Sequence, residues 1–227
     1  MNGEMIQFID GEESYEGYLA KPPSGSGPGI VVLQEYWGLV PHIKDVADRY
    51  AQAGFTAFAP DLYGGKTTEE PDEAGSLMMA LHIGETSNLL LRAIETLSAH
   101  PSTVGEKVGI VGFCMGGQLA LYAACKSPVI GACIDYYGIH PNAQPALRDL
   151  NCPLLGFFAE NDAYASADQV DALTEELTVL EKEHEFITYP GTNHAFFNDV
   201  RPAYNQEAAA DTWQRAVAFF NKHLSVG

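Results

Sequence analysis

Val111-Gly112-Phe113-Cys114-Met115-Gly116-Gly117 sits where the apolar run 108–112 stops and a helical stretch from about 115 to 124 begins. The segment has the Gly-x-nucleophile-x-Gly form of a nucleophile elbow, with Cys where Ser usually stands. A tight strand-to-helix turn lifts such a side chain above a sheet, and Gly112 and Gly116 lack the Cβ atoms that would block the close backbone approach. The helix start also favours negative charge and offers backbone N–H groups to a developing oxyanion. The plain alternative is a Gly-rich turn around a buried Cys, and the motif in its context favours the elbow.

Outward from the elbow, short apolar runs alternate with helix-length runs. Strands are predicted at 30–33, 55–59, 108–112, 130–134, 153–158 and 186–189. Helices are predicted at about 43–53, 86–98, 115–124 and 167–182, with a final helix in which Trp213, Val217, Phe220 and Leu224 share one face. Continuous apolar strands separated by helices predict an α/β fold, a mostly parallel sheet with helices on both faces. The start reads as a hairpin, 5–9 and 15–19 around Asp10-Gly11. The Pro/Gly/Ser stretch 21–29 reads as a loop, and 63–77 as a surface excursion or lid.

The chain has 227 residues, 46% of them apolar, with 12 basic against 30 acidic side chains and a net charge of −18. One domain over 1–227 is expected. The acidic balance argues against nucleic acid and anionic membranes as partners. With no apolar run of membrane-spanning length and no signal-peptide pattern at the start, a cytoplasmic protein is expected. Cys114, Cys125, Cys133 and Cys152 match neither a redox pair nor a zinc spacing, so no metal is expected.

A Cys nucleophile needs a base, and the base an orienting carboxylate, in the chain order nucleophile, acid, base. Asp162 follows the strand at 153–158 and is favoured as the acid over Glu160, with Asp135 and Asp61 at other strand ends. His194, in Thr192-Asn193-His194-Ala195-Phe196-Phe197, follows the next strand and is favoured as the base, with His42 and His140 as weaker alternatives. Loops at the carboxyl edge of a parallel sheet are where open α/β folds place their sites.

The elbow, Gly191-Thr192-Asn193-His194-Ala195-Phe196 and Leu33-Gln34-Glu35-Tyr36-Trp37-Gly38-Leu39 together resemble the dienelactone hydrolase family of the α/β-hydrolase superfamily. The resemblance implies a cofactor-independent hydrolase that cleaves a small lactone or ester through an acyl-Cys114 intermediate. His194 would serve as base for the deacylating water, Asp162 would hold its imidazole, and Glu35 would help to deprotonate the thiol. It also implies an oxyanion hole from the backbone N–H groups of Tyr36 and Met115. The family's known members clamp a substrate carboxylate with two arginines. Here Asn198 stands four residues past His194, and Lys66 is the one Lys or Arg between Tyr63 and Leu91, so Lys66 or Arg201 would have to substitute. Trp37, Phe113, Phe196 and Arg201 are the candidate substrate-binding residues, with Tyr36, Phe197 and Met78 or Met79 beside them. The other readings are a thioesterase or broad carboxylesterase, an inactive binding protein on the same scaffold, and a redox sensor at Cys114, which has no partner Cys nearby in sequence unless the fold brings Cys125, Cys133 or Cys152 close.

Overall fold

The computed structural model describes residues 3–10 and 13–224. Among the described residues eight strands form one sheet in the order β1-β2-β4-β3-β5-β6-β7-β8. They are β1 (Glu4–Asp10), β2 (Glu13–Ala20), β3 (Gly27–Leu33), β4 (Thr56–Pro60), β5 (Thr103–Phe113), β6 (Ile130–Tyr136), β7 (Leu154–Asn161) and β8 (His184–Asn193). β2 is antiparallel to both β1 and β4, and every other neighbouring pair is parallel. The expected hairpin is therefore β1–β2, and its turn residues 11 and 12 lie outside the described residues.

The helices are α1 (Pro41–Gln52), α2 (Pro71–Met79), α3 (Ile83–Ser98), α4 (Met115–Ala124), α5 (Ala167–Val179) and α6 (Gln206–Leu224). On one side of the sheet α1 and α6 meet through the Tyr50 ring, which packs on Trp213 and Phe220. The expected α6 stripe is core: Phe220 and Leu224 are buried, and Trp213 and Val217 pack against them. α3 and α4 pack together against the central strands. β3 and β4 are buried nearly throughout because helices cover both faces, which explains their unbroken apolar sequence.

Two expectations are corrected. The loop assigned to 21–29 ends early, because Gly27–Gly29 already belong to β3 and Gly27 N–H donates to the Ser102 carbonyl. Within the excursion at 63–77 lies the start of α2, with Pro71 in its first turn beside Asp72 and Glu73. α2 has a single buried residue, Ala74, so no apolar periodicity announces it.

Candidate active site

Cys114 is the N-cap of α4 and has φ 53° and ψ −121°, a conformation that L-residues rarely adopt. Backbone bonds hold it there: its N–H donates to the Tyr136 carbonyl at 3.0 Å, and its carbonyl accepts from Gly117 at 2.9 Å and Ile139 at 3.2 Å. A Cβ on Gly112 would lie 1.9 Å from the Gly116 carbonyl oxygen, and one on Gly116 would lie 2.5 Å from the Gln34 carbonyl oxygen. Any larger residue at either position would push apart strand, turn and helix. The second approach also lays the loop after β3, which carries Glu35, Tyr36 and Trp37, across the first turn of α4. The Met115 amide belongs to that first turn, where a helix has no acceptor of its own to offer.

β7 and β8 are paired through Asn161 and Asn193, so the next residue of each strand, Asp162 and His194, emerges side by side. His194 Nδ1 lies 2.8 Å from Asp162 Oδ2, and Asp162 Oδ1 accepts from the backbone N–H groups of Tyr164 at 2.8 Å and Ala165 at 3.0 Å. With its other oxygen satisfied by backbone, the carboxylate has one orientation left to offer the imidazole. Burial lowers the His194 pKa, but hydrogen bonds and charge from Asp162 and Cys114 outweigh it and push the imidazole up to about 10. Glu160 turns elsewhere and accepts from Gly191 N–H, while Asp61 caps the turn at Tyr63 and Gly65.

Glu35 is 1% exposed. Its Oε2 accepts from Asn198 Nδ2 at 2.5 Å, and its Oε1 has no partner. Burial raises its pKa, against the pull of His42, the Asn198 hydrogen bond, His194 and Arg201. Asp135 is also buried, behind the elbow, where a Cβ on Gly117 or Gly138 would collide with its Oδ1. Burial pushes the Asp135 carboxyl up to about 7.

Cys114, Glu35 and His194 open into a cavity of about 610 Å³ whose walls include Tyr36, Trp37, Met78, Ile139 and Tyr164. Arg201 enters the same cavity with its guanidinium 3.6 Å from the centre of the Trp37 ring. Phe113 and Phe196 do not line it. Both are fully buried, Phe113 stacked on Phe197 and Phe196 against Tyr137 and Tyr189. Lys66 is exposed and away from the cavity wall, and of the two methionines Met78 is the one that lines it. The other cysteines are buried and free, and burial pushes the Cys125 and Cys152 thiols up to about 12. Tyr164 and Ile139 were missed in the sequence because nothing in their neighbourhoods marks them. Asn198 was visible only as a missing arginine, and His42 only as one of several histidines.

A mostly parallel sheet, a Gly-flanked strand-to-helix turn carrying Cys114 after its fifth strand, and a carboxylate–imidazole pair after its last two define an α/β-hydrolase fold. The model of the dienelactone hydrolase family matches residues 15–224, and the chain belongs to that family. It is 34% identical to "Protein usf" of Aquifex pyrophilus over 98% of this chain and 100% of that one. It is 33% identical to a "Putative carboxymethylenebutenolidase" of Aquifex aeolicus, over 98% and 99% of the two chains. A crystal structure titled as a "Putative Dienelactone Hydrolase" of Klebsiella pneumoniae superposes with a TM-score of 0.86 at 28% identity, covering 97% of this chain and 99% of that one.

Proposed function

We propose that this dienelactone hydrolase-like hydrolase cleaves a small lactone or carboxylic ester through an acyl-Cys114 intermediate. The observation that carries the reading is the strained Cys114 at the start of α4, in contact with the imidazole of the Asp162–His194 pair at the wall of a largely apolar cavity. Glu35 takes the Sγ proton, and the sulfur attacks the carbonyl carbon. The oxyanion is held by the Tyr36 and Met115 amides, each on the order of 3 kcal/mol of transition-state stabilisation. As the carbon–oxygen bond breaks, imidazolium at His194 protonates the leaving oxygen. The neutral imidazole then takes a proton from water, whose oxygen attacks the thioester. The carbon–sulfur bond breaks, the acid leaves, and the sulfur recovers its proton from the Glu35 side. Acylation removes the contribution of Cys114 to the His194 pKa, which favours the change from acid to base at that point in the cycle.

The cavity wall favours a substrate with an apolar body, and Arg201 offers one guanidinium to a carboxylate in place of a two-arginine clamp. The test is hydrolysis of a short-chain nitrophenyl ester beside an anionic dienelactone by wild type and Cys114→Ala. Cys114-dependent turnover of the neutral ester, with weak turnover of the dienelactone, is expected. Full ester hydrolysis by Cys114→Ala would remove the reading. Strong dienelactone turnover that falls with Arg201→Gln would assign Arg201 to the substrate carboxylate.

A further inference from the structure

Behind Glu35 lies a second imidazole–carboxylate pair. His42, near the start of α1, has a side chain that is 1% exposed, and its Nδ1 is 3.0 Å from Asp199 Oδ1, whose side chain is 47% exposed. With Nδ1–H donated to that carboxylate, Nε2 is left as an acceptor. His42 Nε2 is buried without a hydrogen-bond partner, and so is Glu35 Oε1. Both atoms are buried and unpaired, which is costly, and the two do not hydrogen-bond each other in this structure. One short turn governs both residues: Asn198 holds Glu35, and the next residue, Asp199, holds His42. The Phe197 ring, from the same turn, meets the His42 ring edge-to-face with centroids 6.3 Å apart.

We infer that His42, oriented by Asp199, is the proton store for Glu35 in the proposed hydrolysis. The inference rests on the acyl-Cys114 reading. During acylation the Cys114 S–H proton passes to Glu35, and the Glu35 carboxyl then turns toward the imidazole and passes its O–H proton to His42 Nε2. Glu35 returns to carboxylate, and the imidazolium is balanced by Asp199. When thiolate leaves at the end of deacylation, the proton travels back by the same two transfers. His194 handles a separate proton, from water to the leaving oxygen. No proton is lost or gained over the cycle except by ionisation of the product acid.

The arrangement accounts for a buried carboxylate that must be both a base and quickly vacated. Desolvation alone would leave Glu35 protonated, and of the influences that draw it back toward carboxylate His42 is the strongest, ahead of Asn198, His194 and Arg201. His42 is a positioning and proton-storing residue, since it acts on the sulfur only through Glu35.

The experiment is stopped-flow release of nitrophenolate, with the burst rate reporting acylation and the later phase deacylation. It compares wild type, His42→Gln, Asp199→Asn, Glu35→Gln and the His42→Gln/Glu35→Gln double variant, with Cys114→Ala as control. His42→Gln is expected to slow the burst roughly 10- to 100-fold and flatten its pH profile, with deacylation nearly unchanged. Asp199→Asn, at a half-exposed position that folding tolerates, should slow the burst several-fold. The double variant should be no slower than Glu35→Gln alone, because both changes interrupt one path. An unchanged burst in both His42→Gln and Asp199→Asn overturns the inference. So does equal slowing of both phases, or multiplicative loss in the double variant. Turnover that persists in Cys114→Ala overturns the acyl-cysteine reading and the inference with it, whereas a Cys114-dependent burst indifferent to His42 overturns the inference alone.

Discussion

Asp162–His194 and Asp199–His42 are both carboxylate–imidazole pairs with Nδ1 within 3.0 Å of oxygen, yet they are built from different parts of the fold. The first stands on the register of two adjacent parallel strands, and backbone N–H groups fix its carboxylate. The second joins a helix start to a surface turn 157 residues away, and its carboxylate reaches solvent. The same chemistry is thus made rigid in one place and open to water in the other. The rigid pair suits a proton that must be aimed at a substrate atom, and the open pair suits a proton that has only to be held.

Changes to the rigid pair should therefore cost most. Asp162→Asn keeps the shape but removes the charge that holds the imidazole, and a loss in kcat/KM on the order of 10⁴ is expected from steady-state kinetics. In the proposed mechanism His194, pushed up to about 10, is protonated when the leaving group departs, so kcat/KM should fall as pH rises through about 10. In residual Asp162→Asn activity that limb should move to lower pH, because burial then opposes the imidazolium with less to balance it. An alkaline limb that stays in place would show that Asp162 does not set the charge of His194.

Glu35→Gln should slow acylation by roughly 10²-fold, within the range for one general base, with deacylation and thermal midpoint little altered. Equal loss in both steps would merge the two pairs into one path and erase the contrast between them.

Asp135 lies behind the rigid pair and is expected to affect stability more than rate. Its folded pKa, about 7, is above that of an unfolded Asp, so the native state holds its proton more tightly over that interval. Stability from this group is highest at pH 4 and below, falls as pH rises from about 4 to about 7, and stays low above that. Asp135→Asn should stabilise the protein at pH 8 by at most about 4 kcal/mol and do little at pH 4, as read by denaturant melts at the two values. A gain that is equal at both pH values would contradict a buried carboxylate whose desolvation outweighs its hydrogen bond from Gly138.

The rigid pair was legible in the sequence and the open pair was not, for the same structural reason. Asp162 and His194 follow apolar runs whose strand character local composition declares, so their meeting follows from a parallel sheet. The meeting of His42 with Asp199, and of Glu35 with Asn198, depends on how the turn after His194 folds back across α1 and the loop after β3. No local pattern encodes that path. Phe113 and Phe196 were misread as cavity residues because an aromatic beside a motif has the same sequence whether it faces ligand or core. α2 was missed because a short helix buried at Ala74 alone leaves no apolar stripe.

The most direct test of the account is the intact and peptide mass of wild-type enzyme quenched in acid during turnover of a nitrophenyl ester. The account predicts one added acyl group on the peptide that contains Cys114, formed in the burst and lost when substrate is exhausted. Continued turnover with unmodified Cys114, or an acyl group on another residue that forms and decays at the catalytic rate, would contradict it.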